Sequence, residues 1–142
     1  AASSLLTPFH SAEPLSSADF LAALKASPAG AKEIDAQTGN TPLHFAACGA
    51  APLPVVSALL AAHKKAAGVL DKDGNLPIHG AVANGAETAV VEALLTAHPE
   101  GVRALQGRHT LLHSAACNGA TADTVRLLLE RWPEAAAAAD EL

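Results

Sequence analysis

The stretch NTPLHFAACGA, residues 40–50, decides how this chain folds. It joins a Thr-Pro helix start to a run of small residues closed by glycine, and it comes back. NLPIHGAVANGA begins at Asn75, HTLLHSAACNGA at His109, and a shorter version, TPFHSA, at Thr7. The histidines of the four copies, His10, His44, His79 and His113, are 34, 35 and 34 residues apart. A fixed period of that size marks a chain built from stacked repeats.

Each copy carries the same physical instructions. Pro42 and Pro77 suit a first helical turn, where the missing N–H would have no partner anyway. Thr41 and Thr110 can cap that turn with a side-chain oxygen. Gly85 and Gly119 can take the positive φ of a tight helix exit. The second copy departs here, with Gly49 one place early and Ala50 at the exit position, so a turn of different shape is expected. A second helix follows. Val56, Leu59 and Leu60 recur as Val91, Leu94 and Leu95, then as Val125, Leu128 and Leu129. Their i, i+3, i+4 spacing draws one apolar stripe. In the first copy Leu21 and Leu24 match, with Lys25 in the third place, as suits an end unit with one wet face. Pro54 marks the start of one second helix, and Asp123 is the expected cap of its counterpart. Pro99 and Pro133 mark where second helices stop or change course. The tail PEAAAAADEL has the propensity for a last helical turn or two. A lone pair of such helices cannot bury its stripe, whereas stacked pairs bury one another's. The expected fold is therefore all-α. It is a solenoid of four stacked helix pairs with short connecting loops, one domain over 1–142, with units approximately 5–34, 35–70, 71–105 and 106–142.

Composition narrows the function. The net charge of −5 comes from scattered acids and bases, and without a basic stripe nucleic acid is not expected as a partner. Cys48 and Cys117 occupy equivalent places two repeats apart, about 20 Å in a stack, so no disulfide is expected. That suits an intracellular, cytoplasmic setting. Neither a membrane span nor a secretory leader is expected. The chain contains no Met, which points to an excised domain or a processed chain, and the closing ADEL lacks the Lys or His of a retention signal.

The residues 41–46, TPLHFA, carry a resemblance to the ankyrin repeat family, whose signature is a unit of about 33 residues with Thr-Pro-Leu-His-x-Ala. TPFHSA (7–12), LPIHGA (76–81) and TLLHSA (110–115) match it with changes, in phase along nearly the whole chain. The resemblance implies antiparallel helix pairs linked by projecting hairpin-like loops, and recognition of proteins through loop tips and inner helices. It also implies that the four histidines are structural, tying neighbouring loops through backbone bonds. Gly39 and Gly74 fit the family's turn glycine, while Arg108 stands in that place in the last unit.

Catalytic and metal chemistry find little footing. Histidines about 10 Å apart in adjacent repeats cannot share an ion whose ligands sit about 2 Å from it. His63 and His98, near the ends of second helices, suit the negative end of the helix dipole. Cys48 and Cys117 lie four residues after a histidine but lack an orienting third group. DKDGN (71–75) starts like a calcium loop but does not continue as one, and it reads as an Asp-Gly turn. No cofactor, metal or enzymatic activity is expected. The expected function is protein–protein interaction through the concave face and loop tips, with a linking segment of a larger multidomain protein as the alternative. The candidate surface comprises Gln37, Asn40, Phe45 and Cys48 in the second unit. It continues through Lys72, Asp73, Asn75, Gly80 and Ala83 in the third, and Arg108, His109, Ser114, Cys117 and Asn118 in the fourth. Phe45, an aromatic among alanines, is either a core plug or an anchor for a partner. A shallow groove lined by small residues suits a helix or extended peptide.

Overall fold

The computed structural model describes residues 17–26, 28–49, 51–104 and 110–133. Among them are seven α-helices: α1 (Ser17–Ala26), α2 (Pro42–Cys48), α3 (Leu53–Ala62), α4 (Pro77–Ala83), α5 (Thr88–Ala97), α6 (Leu111–Cys117) and α7 (Ala122–Arg131). No strand occurs among the described residues. The short helices α2, α4 and α6 form one layer, and the ten-residue helices α1, α3, α5 and α7 form the other. The histidine-bearing segment of the first unit, with His10, and the alanine-rich tail lie outside the described residues.

Seven-residue helices are too short to persist alone, since about 12–15 residues are marginal even in alanine-rich sequences. Their ends and packing hold them. Thr41 and Thr110 are extended, and each side-chain oxygen accepts the backbone N–H three residues on. Pro42 and Pro77 open their helices as expected. Gly85 and Gly119 leave theirs at φ 74° and 67°, whereas Gly49 stays at φ −83°. The second unit nonetheless closes its exit by the same bond as the others: Ala51 N–H donates to the Ala46 carbonyl, as Ala86 does to Ala81 and Ala120 to Ala115.

The second helices stop where Pro99 and Pro133 mark their ends. His63, His98 and Trp132 all adopt φ near −145° with ψ about 80°, and each backbone N–H donates to the carbonyl four residues back. The chain changes course at Pro99, which opens a 3-10 helix, Pro99–Arg103. Equivalent 3-10 helices are Pro28–Lys32 and Lys64–Gly68. They bury Ala31, Ala66, Ala67 and Val102 beneath the stack. The expected Asp123 cap is corrected: Thr121 caps α7, and Asp123 sits inside the first turn, paired with Arg126 at 3.1 Å in solvent.

One core runs from Phe20 to Leu128. Val56, Leu59, Val91, Leu94, Leu95 and Leu128 are all buried in it. Leu60, Val125 and Leu129 are only half-buried. The stripe is turned by one residue, so that Val55, Val90 and Thr124, directly before the expected valines, close the seam instead.

Candidate functional site

The loops before α2 and α4 are compact turns closed by cross-turn backbone bonds. In the first, Asp35 N–H donates to the Asn40 carbonyl and Gly39 N–H to the Asp35 carbonyl, both at 2.8 Å. The Asp35 carboxylate accepts Gln37 N–H at 2.7 Å and Thr38 N–H at 3.1 Å. In the second, Asp71 Oδ1 accepts the amides of Asp73 and Asn75, each at 2.9 Å. In each turn a short carboxylate mimics a backbone turn.

The two turns are joined. Lys72 N–H donates to the Thr38 carbonyl at 3.0 Å, and Lys72 Nζ donates to the Ala36 carbonyl. Gly39, at φ 75°, makes the approach possible, because a Cβ there would stand 2.9 Å from Lys72 N. His44 adds a second tie. Its Nδ1 accepts the Thr41 amide at 3.1 Å and the Thr41 hydroxyl at 2.9 Å. The ring proton is therefore on Nε2, which donates to the Asn75 carbonyl of the next unit at 3.0 Å. Burial holds the His44 pKa below the usual imidazole value, against the opposing pull of that carbonyl and of Asp71.

His79 and His113 repeat the local half of this arrangement. Leu76 N–H donates to His79 Nδ1 at 2.9 Å, and Thr110 N–H to His113 Nδ1 at 3.1 Å. The inter-unit half does not recur at His79, which is 1% exposed and whose Nε2 has no hydrogen-bond partner. The Ala104 carbonyl is near enough to favour the charged ring but falls outside hydrogen-bond geometry. Burial again dominates and keeps the His79 pKa low. Among the described residues no group of three or more His, Cys, Asp or Glu is placed to hold a metal ion. His63 and His98 cap their helices through backbone N–H groups, and the His98 ring also covers Gly68.

Cys48 crosses from α2 to α4, where its sulfur would be 2.4 Å from a Cβ at position 80. Gly80 thus packs directly beneath the Cys48 side chain of the preceding unit. Burial, and then the Asp71 carboxylate, push the Cys48 thiol up. An activated nucleophile needs the opposite shift.

Of the expected surface, Gln37, Lys72, Asp73, Cys48, Cys117 and Asn118 are exposed, while Asn40, Phe45, Asn75, Gly80 and Ala83 are half-buried. Ser114 is buried, and its carbonyl accepts Asn118 Nδ2 at 2.8 Å. Arg108 and His109 lie outside the described residues. Two residues absent from the expected surface join it. Asp71 anchors the second turn, and Asn84 donates Nδ2 to the Gly80 carbonyl at 2.9 Å. Together with Cys48, Asn75, Gly80 and Ala83 they line a pocket of about 190 Å³ between the second and third units. The sequence signal for Asp71 was present in DKDGN but reads as turn chemistry alone.

A family profile described as ankyrin repeats (3 copies) matches residues 9–102 and 50–139. The chain belongs to the ankyrin repeat family. No curated protein matches it significantly. Ankyrin repeats generally mediate protein–protein interaction, and among the described residues no helix of this ankyrin chain is long and apolar enough to cross a membrane.

Proposed function

We propose that the chain is a protein-interaction module that grips a partner protein or peptide segment through its concave face and turn tips. The observation that carries this reading is the lock between the two described turns. Lys72 fastens them through both its backbone and its side chain, so Gln37, Asp73 and Asn40 are presented on backbone already fixed before a partner arrives. Surfaces ordered in advance avoid much of the entropy cost of binding. Beside them the face is shallow and built from small residues, with Phe45 half-buried on α2. An extended or helical segment matches that relief.

The test is a pulldown with the chain as bait, followed by titration of the purified captured protein. Saturable binding that drops by about tenfold or more in Phe45→Ala, with an unchanged melting temperature, supports the reading. A captured set identical for wild type, Phe45→Ala and the charge-reversed Lys72→Glu would favour a linking segment instead.

A further inference from the structure

The pocket between the second and third units has a definite chemistry. Its volume, about 190 Å³, is below the roughly 300–1,000 Å³ of sites that enclose small-molecule ligands. It is the size of one protein side chain. Asp71 is the one carboxylate among its lining residues, with His44 and His79 at the back and the Cys48 thiol beside them. Both imidazoles are held neutral by burial, so neither cancels the carboxylate. Lys72, next in the chain, is turned away to the Ala36 carbonyl of the preceding turn.

The Asp71 carboxylate is the strongest acceptor of the pocket. Asp71 uses Oδ1 for the Asp73 and Asn75 amides, and its Oδ2 accepts no hydrogen bond among the described residues. Asn84 gives one N–H of Nδ2 to the Gly80 carbonyl, and its amide oxygen is available to accept. The Cys48 sulfur lies over Gly80, and the small Ala83 adds little bulk to the lining. A single negative charge, beside the Asn84 amide and backed by an uncharged wall, is complementary to a cation with several N–H donors and an aliphatic stem.

We propose that this pocket receives a lysine or arginine side chain from the bound partner segment, an inference that rests on the partner-binding reading above. The charge sets the register of that segment against the first-helix layer. Half exposure of Asp71 keeps desolvation modest, so the pair contributes selectivity more than raw affinity.

A displayed library of random linear peptides, selected on the immobilised chain, tests this. Selected peptides should share a basic residue, and replacing it with norleucine should weaken binding by about tenfold. Asp71→Asn should cause the same loss, because it removes the charge but keeps the oxygen that organises the turn. Ala83→Leu, which fills the pocket and leaves the charge intact, should also weaken binding. In a cycle, Asp71→Asn and the norleucine peptide should be non-additive. Thermal melts of both variants establish that they fold. Peptides that need Phe45 but carry no basic residue, or that ignore Asp71→Asn and Ala83→Leu, overturn the pocket assignment and leave the interaction module standing. A library without any binder overturns both.

Discussion

The junction between the second and third units differs from the junction between the third and fourth. The first is tied on the side of the turns and short helices. Lys72 bridges to Thr38 and Ala36, His44 reaches Asn75, and Cys48 lies over Gly80. Among the described residues, which leave out the turn before α6, the second is tied on the long-helix side. Thr88 meets the Thr124 hydroxyl at 2.8 Å and Thr121 at 3.4 Å, and Arg131 approaches Glu92 at 3.8 Å. His79, the counterpart of His44, has an unpartnered Nε2. In a solenoid, stability is close to a sum of unit and nearest-neighbour terms. Two copies of one motif can therefore share local structure and still differ in the interface they make. The signature histidine guarantees the helix start of its own unit; its bond to the neighbour depends on where the neighbour's carbonyl falls.

Replacing the two histidines measures this difference most directly. His44→Ala should cost about 3 kcal/mol and His79→Ala about 1 kcal/mol less, because only the former strands a carbonyl in the next unit. Chemical denaturation of both variants checks it, and equal losses would erase the distinction. The turn glycines give the next contrast. Gly39 and Gly74 have nearly the same positive φ, 75° and 80°, yet a Cβ at 39 meets Lys72 while one at 74 meets nothing within 4 Å. Gly74→Ala should cost about 1 kcal/mol from the backbone alone. Gly39→Ala should cost about 2 kcal/mol or more by also prising the turns apart.

The pH dependence sharpens the comparison further. Burial lowers the folded pKa of both His44 and His79, so the unfolded chain binds more protons just below its own imidazole pKa of about 6.5. Stability is then fully present above that pH and declines as pH falls toward the depressed folded values. Melting temperatures at pH 7 and pH 5 should show the decline, with a shallower slope in His44→Gln and in His79→Gln. The smallest effect concerns Cys48 and Gly80. In wild type, Gly80→Ala should be nearly neutral, since the gain in helix propensity is offset by displacing the Cys48 sulfur. In a Cys48→Ala background the same change should stabilise by about 0.5–1 kcal/mol. A double-mutant cycle that finds no coupling would show that the sulfur does not occupy that space.

Much of the fold was legible because its signals are local. Thr41, Pro42 and His44 lie within one helical turn, and backbone capping needs no distant partner. The leucine stripe follows from helix periodicity, although its centre shifted by one residue once neighbouring helices chose the best contact. The 3-10 helices escaped notice because Lys64–Gly68 carries ordinary residues whose conformation is fixed by burying Ala66 and Ala67. Asp123 could have capped α7 on chemistry alone, but Thr121 stands at the place where the chain becomes helical. The candidate surface was legible as a row of equivalent positions, not as a site, since Ser114 is covered by its surroundings while Asp71 and Asn84 are drawn in.

The amino-acid sequence by itself determined the repeat, its helix pairs, their caps and the apolar seam, because each depends on residues within about one turn or on a strict period. Tertiary structure alone decided which histidine reaches its neighbour, why position 80 has no side chain, and where a lone carboxylate becomes a pocket. Those outcomes are set by distances between atoms more than thirty residues apart in the chain, such as His44 Nε2 and the Asn75 carbonyl, and only the packed stack fixes them.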